Sequence, residues 1–545
     1  RRPDYLMHLV CVLVVAALPL LANGQRAATA IGAKLKHHSS SSSPQGEYVI
    51  QGEDTIEPMV LADWMTVVQD RKVEFLVAGV VVMMTSFLLA RWGRQDCGEE
   101  EDDFVVEDDH VKAMKGLESV DFGFSNIRME LQTGRRKKTT KLVLDGSIRG
   151  RARPGRMLAV MGPSGAGKST VLHALAGRIR ESSRIRLQGK RYINGKTITG
   201  DSMVPSAFVE QEVTFFPHLT VSETLSFRVE LKLGSLLSKT SQTELVHDLV
   251  VQMGLEKAAD TKVGDNKVRG ISGGERRRLS IACELISSPS IIFLDEPTSG
   301  LDSTAATSLV QTLRNLADAG KTVIAVIHQP SQHVFAAFDD LLLVSEGRQM
   351  YFGEVATVRQ YMEDNGFEAP AEMGTAEHIL DCISKSELQG ETPDDANRRI
   401  SELAAIASED DVDIGAANGE VEKFSGGTSG GPRANVLIQF KLLLQRSLRE
   451  NFRGKTKLII QTVQQVSLGI IYGGIYSLGS NQSSIQDRFG LLSLIAIGSS
   501  NMAMASTVRA FPKEKAIVSY ELGAKYYGTL PYFIGKAISE IPLTA

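Results

Sequence analysis

Gly162-Pro163-Ser164-Gly165-Ala166-Gly167-Lys168-Ser169-Thr170 fits the phosphate-loop pattern, and it stands between an apolar strand-like run, Met157 to Met161, and a helix-like run that begins near Thr170. Glycines let successive backbone N–H groups curl round an anion, and the helix that follows adds its positive N-terminal end. In such a loop Lys168 reaches the β- and γ-phosphates of a nucleotide, and the Ser169 hydroxyl ligates the magnesium that bridges them. The strand before the loop and the helix after it make the pattern far more specific than its residues alone.

A second stretch, Ile291-Ile292-Phe293-Leu294-Asp295-Glu296, is an apolar buried-strand run that ends in two carboxylates. That suits the edge of a parallel sheet, where ligands gather. Asp295 is expected to hold magnesium through water, and Glu296 to polarise the attacking water, because phosphoryl transfer depends mainly on positioning and charge stabilisation. The rival reading of an isolated Asp-Glu pair is a strand that simply ends in solvated acids; the phosphate loop upstream weighs against it.

Between the two lies Ile271-Ser272-Gly273-Gly274-Glu275-Arg276-Arg277-Arg278. A small-residue turn that opens a helix is a sensible anion cap, and this one resembles the signature of ATP-binding-cassette proteins. That resemblance implies that the Ser272, Gly273, Gly274 and Glu275 segment grips the γ-phosphate bound on a partner subunit. The triple arginine is read as a solvated helix face rather than a nucleic-acid site. By the same resemblance Gln211 contacts magnesium and the attacking water, and Ser299-Gly300-Leu301-Asp302 joins the two nucleotide sites. His328, after the apolar run Val323 to Ile327, is the switch residue that reads the γ-phosphate.

The resemblance runs from about Val120 to the last residue and is closest to the G subfamily of these transporters, the White and breast-cancer-resistance type of half-transporter. Glu275 in place of glutamine, the Asp295-to-Ser303 string and Ile327-His328-Gln329-Pro330 carry it, as does the order of ATPase before membrane domain. Gln439 to Arg453 is similar to the subfamily's connecting helix, and Phe511-Pro512-Lys513-Glu514-Lys515 to its cytosolic loop between the second and third spans. Two features depart from the pattern. Met373 to His378 replaces the usual Asn-Pro-Ala-Asp-like string, and no aromatic is placed to stack on adenine, since Phe122 and Phe124 lie far upstream.

The implied fold is an α/β P-loop ATPase domain, with a mostly parallel core sheet and a helical signature subdomain, followed by an all-α transmembrane domain. Residues 1–24 read as a signal peptide or signal anchor, 25–72 as a flexible luminal or extracellular segment, 73–92 as a transmembrane helix and 93–115 as an acidic linker. The ATPase domain is placed at 116–385 and a flexible Gly/Ser-rich linker at 386–434. Residues 435–545 are the connecting helix and the first part of the membrane domain. Apolar segments lie at about Leu458 to Leu478 and Phe489 to Val508, and another starts near Thr529. Gln461, Gln464 and Gln465 form a polar stripe that either lines a substrate path or bonds helix to helix.

With 60 basic and 64 acidic residues the chain is nearly balanced, which argues against a nucleic-acid binder. Its four cysteines, Cys11, Cys97, Cys283 and Cys382, show no pairing or zinc pattern, and His37-His38 has no further ligands at suitable spacing. The resemblance implies ATP and magnesium as cofactors and a homodimer or heterodimer with another half-transporter. It implies export of a lipid-like, sterol or other amphipathic cargo across a plasma or internal membrane, with the ATPase cytosolic. A regulatory, non-transporting cassette ATPase is the alternative; those carry two cassettes in one soluble chain. The chain stops inside what resembles the third of six membrane helices, so the parent protein is expected to continue.

Overall fold

The computed structural model describes residues 119–544 apart from 134–138, 199–205, 212–213, 235, 371, 386–391, 410–411, 413, 415–420, 423–433 and 477–482. The expected signal segment, the span at 73–92, the acidic linker and His37-His38 therefore lie outside the described residues. Strands are β1 (Phe122–Thr133), β2 (Thr139–Ala152), β3 (Met157–Met161), β4 (Ile185–Ile193), β5 (Lys196–Ile198), β6 (Ser206–Val209), β7 (Ile291–Asp295), β8 (Thr322–Val326), β9 (Asp340–Ser345), β10 (Arg348–Glu354) and β11 (Val421–Glu422). Helices within the same span are α1 (Lys168–Leu175), α2 (Val221–Leu233), α3 (Lys239–Gln252), α4 (Gly273–Leu285), α5 (Ser303–Asp318), α6 (Gln332–Ala336), α7 (Val358–Asp364), α8 (Thr375–Ile383) and α9 (Pro393–Glu409). Then follow α10 (Val436–Arg453), α11 (Lys455–Ile475), α12 (Ser483–Gly523) and α13 (Thr529–Thr544).

One sheet has the order β10-β9-β3-β8-β7-β6. Its pairs are parallel except for β9 with β10. Every residue of β3, β7, β8 and β9 is buried, which is why these strands read as unbroken apolar runs rather than as alternation. The two-residue period still sorts them. Met157, Ala159, Ile292, Leu294, Val323 and Ala325 face a core completed by the helices from α2 to α5. Leu158, Val160, Phe293, Ile324 and Val326 face the other, where Phe122, Phe124, Leu144 and Ile148 arrive from the second sheet. That second sheet, β11-β5-β4-β1-β2, is antiparallel except for its short β11 edge. Each fully buried Leu or Phe contributes about 1.5–3 kcal/mol, so a sheet covered on both faces is a rigid platform.

Three expectations need correction. The 386–434 linker contains the helix α9, whose Ala396, Ile400, Leu403 and Ala407 are buried. These fall at helical spacing, and Ile400 and Leu403 join the main core. Phe511 to Lys515 is not a loop: it lies inside the 41-residue α12, which carries Pro512 in its interior. The triple arginine is not a solvated face, because Arg277 is buried and all three side chains bond within the protein.

Helices α11 and α12 cover most of the apolar segments expected at 458–478 and 489–508. Among the described residues no helix is long and apolar enough to cross a membrane. Yet α11 and α12 expose Ile459, Ile460, Val463, Ile470, Phe489 and Leu492. Helix α10 is instead anchored: Arg453 makes a two-pronged pair with Glu223 at 2.6 and 2.8 Å, fastening it to the start of α2.

Candidate functional site

The phosphate loop leaves β3 and enters α1 as the spacing predicts, with Gly167 as the N-cap at φ 99°. Gly162 is obligatory by contact: a Cβ there would sit 1.9 Å from the carbonyl oxygen of Val344. Lys168 is 5% exposed, and its Nζ donates to the carbonyls of Gly162 and Pro163 at 2.8 and 2.9 Å. Burial lowers its pKa, while Glu296 and Asp295 act to raise it. A cation held across the mouth of its own loop, facing two carboxylates, is ready to exchange two carbonyl partners for phosphate oxygens.

Asp295 ends β7 and Glu296 follows it. The Ser169 hydroxyl donates to Asp295 Oδ1 at 2.9 Å. Burial pushes the Asp295 carboxyl up, and the Ser169 bond opposes that rise. A hydroxyl beside a carboxylate, with a second carboxylate next in sequence, is a hard-oxygen donor set suited to magnesium. Gln211 lies just beyond β6, and its Nε2 donates to Glu296 Oε2 at 2.7 Å. The structure therefore joins Lys168, Ser169, Asp295, Glu296 and Gln211 at one end of the parallel sheet, where loops from three strands meet. Open backbone, a buried lysine and hard-oxygen donors together fit a nucleoside triphosphate with its divalent cation.

His328 is exposed two residues beyond Val326, whose carbonyl accepts from the Glu296 N–H at 3.1 Å. Ser272 opens α4 as its N-cap in a complete capping box with Glu275. Both Ser272 and Gly273 are exposed, and so is Asp302, the N-cap of α5, whose side chain makes no cap bond. All three are open to solvent. Phe122 and Phe124 are fully buried core residues and cannot stack on a base.

Sequence reasoning missed Arg277. From α4 it donates to the carbonyl of Glu210 at 2.8 Å and to that of Glu296 at 3.2 Å. No sequence pattern separates it from Arg276, which reaches Val263 and Gly264, or from Arg278, which reaches Ser308.

Comparison with known proteins places family models on both halves. The model described as ABC transporter matches residues 147–299, and models described as ABC-2 type transporter match 438–545 and 328–397. ABC transporter G family member 7 of Arabidopsis thaliana is 39% identical over 454 residues, 81% of this chain and 62% of that protein. ABC transporter G family member 14 of the same plant is 34% identical over 75% of this chain and 64% of its own length. ABC transporter G family member 1 of Dictyostelium discoideum is 31% identical over 77% and 63%. The chain thus spans 62–64% of the length of these relatives. A solved dimeric bacterial ABC transporter cassette aligns with 43% of this chain and 98% of its own, at 24% identity and a TM-score of 0.36.

Proposed function

The chain belongs to the G family of ATP-binding-cassette transporters, and from that premise we propose that it is a half-transporter subunit that couples ATP binding and hydrolysis to export of lipid-like or other amphipathic molecules. The observation that carries the reading is the convergence of Lys168, Ser169, Asp295, Gln211 and Glu296 at the end of one parallel sheet, continuous in chain with a segment that matches the ABC-2 type transporter model.

Each residue then takes a role its geometry suits. The backbone of Gly162 to Thr170 holds the β- and γ-phosphates, and Lys168 turns from its own carbonyls to them. Ser169 and Asp295, with Gln211, hold magnesium, which draws charge from the phosphate oxygens when bound. Glu296, steadied by Gln211, orients the attacking water and accepts its proton. His328 stands at the same strand edge to read the γ-phosphate. Ser272, Gly273 and Asp302 are exposed, and with Gly274 and Glu275 they complete the site of a second subunit, so that two copies, or one copy and a relative, close over two ATP molecules. Closure and release switch the membrane helices between inward and outward forms. The apolar faces of α11 and α12 supply that membrane domain, with the ATPase in the cytosol.

The test is ATP-dependent transport by the purified full-length protein in proteoliposomes, against a panel of sterols, phospholipids and amphipathic drugs. Uptake that Glu296→Gln abolishes supports the reading. ATP hydrolysis with no membrane association resistant to carbonate would favour the regulatory ATPase instead.

A further inference from the structure

Glu296 has a φ of 45°, a left-handed conformation that a residue with a side chain keeps only where its neighbours over-determine it. Three bonds do so. Its N–H donates to the Val326 carbonyl at 3.1 Å, and its own carbonyl accepts from the Ser299 N–H at 3.2 Å and, from outside its own turn, from Arg277 at 3.2 Å. The other prong of Arg277 reaches the carbonyl of Glu210 at 2.8 Å. Strands β6 and β7 pair in parallel up to Val209 with Leu294, and Glu210 and Glu296 lie just past their ends. The guanidinium therefore fastens the two chains where the ladder stops, one residue before Gln211 on one side and at Glu296 on the other.

We propose that Arg277 is a positioning residue for hydrolysis: from the helix that Ser272 opens, it holds the backbones of Glu210 and Glu296 so that Gln211 and the Glu296 carboxylate meet in working geometry. The inference rests on the reading of Glu296 given above. Burial of Arg277 lowers its pKa while Asp295 and Glu296 raise it, which marks its charge as lying within reach of both carboxylates. Geometry asks for arginine. Its rigid planar fork presents a separate nitrogen to each of the two carbonyls, whereas lysine offers one nitrogen on a flexible stem and holds no such fixed spacing. Because α4 also carries the exposed Ser272, a change in how a partner subunit engages that end passes along the same helix to Arg277 and, through its hydrogen bond, to the Glu296 backbone.

The experiment compares Arg277→Met, Arg277→Lys, Glu296→Gln and Arg314→Met in the purified full-length protein, measuring kcat and KM for ATP hydrolysis, nucleotide affinity and thermal midpoint. Arg314 is the control, since it clamps the Gly155 carbonyl and Asp339 and takes no part in the site. Arg277→Met is expected to lower kcat about tenfold or more with KM and nucleotide affinity changed less than about threefold. Arg277→Lys is expected to recover part of the loss, and Arg314→Met to lower the midpoint with kcat within about twofold of wild type. Wild-type kcat in Arg277→Met, with Glu296→Gln inactive, overturns the role of Arg277 alone. Loss in Arg277→Met that Arg314→Met matches at equal loss of midpoint also overturns it. Full activity in Glu296→Gln overturns the reading of the site itself. If Arg277→Met fails to fold, Arg277→Lys decides: lowered kcat at unchanged KM supports the proposal, and unchanged kcat removes it.

Discussion

The Ser169 hydroxyl donates to Asp295 Oδ1 at 2.9 Å, joining two residues 126 positions apart in sequence. One sits in the first turn of α1 and the other ends β7, so this bond fixes the phosphate loop relative to the sheet. It also gathers two hard oxygens at one point. A divalent cation bound there, as proposed above, would require local exchange of partners rather than movement of strands, because the sheet beneath is buried on both faces.

Glu296→Gln is expected to retain ATP affinity and to lower turnover by about 10²–10⁴-fold, the usual contribution of a positioned general base. The amide keeps the size of the side chain and a bond to Gln211, but it cannot accept the proton of water. Steady-state hydrolysis and equilibrium nucleotide binding on the same preparation check this; normal turnover would remove the assignment.

Gly162→Ala is expected to abolish nucleotide binding without any change in charge. The added methyl would collide with the Val344 carbonyl at 1.9 Å, so the loop must move away from β9 to accept it. Fluorescent-nucleotide titration checks it, with circular dichroism to confirm that the domain still folds.

Legibility differed between parts of the chain for physical reasons. Strands β3, β7 and β8 are buried on both faces, so their continuous apolar runs declared both the parallel sheet and the ends where Lys168, Asp295 and Glu296 belong. Gln211 and His328 came only from family resemblance, since an isolated polar residue at a strand end carries no signal of its own. Helix α9 was hidden because its four core contacts, Ala396, Ile400, Leu403 and Ala407, include two alanines and lie among acidic and polar neighbours. Arg277 was hidden because a buried arginine that bonds to main-chain carbonyls looks, in sequence, like any exposed one.

Arg446 on α10 and Glu521 on α12 form a buried pair at 2.9 Å, their side chains 3% and 4% exposed. The Tyr527 hydroxyl donates to Glu521, and the Arg446 guanidinium lies over Phe216 and Phe227 at 4.2 and 4.3 Å. Arg446→Met should destabilise this junction by about 3–5 kcal/mol, because it strands a buried carboxylate. The double change Arg446→Met with Glu521→Leu should cost much less. Thermal unfolding of the four variants as a mutant cycle tests it, and additive losses would rule out the coupling.

Cys283 on α4 is fully buried, and burial is the main cause that pushes its thiol up to about 11. At pH 8 the thiolate fraction would be about 10⁻³, on the order of a hundredfold below that of an ordinary cysteine. Native protein should therefore resist alkylation at this position until it unfolds, and reactivity should rise as pH approaches 11. Peptide mass spectrometry after a timed iodoacetamide pulse distinguishes Cys283 from the other thiols.

The exposure of Ser272 and Gly273 at the start of α4, together with the proposal that they complete a partner's site, leads to the most discriminating expectation. Gly273→Asp places a carboxylate where a partner's γ-phosphate would approach the start of α4, and a negative charge there repels the anion that a helix N-terminus otherwise attracts. Nucleotide affinity at the same chain's phosphate loop should stay within about threefold of wild type, while hydrolysis should fall by about 10²-fold or more. Ser272→Arg should act alike, with a further loss of about 1 kcal/mol in helix stability from the missing N-cap. Mixing a Gly273→Asp chain with a Lys168→Ala chain leaves one intact composite site in each mixed dimer, formed by the Lys168 of the first and the Ser272 of the second. Hydrolysis recovered on mixing, from two chains that are each inactive alone, supports a site shared between subunits; full activity in an isolated Gly273→Asp monomer would place every catalytic group within a single chain.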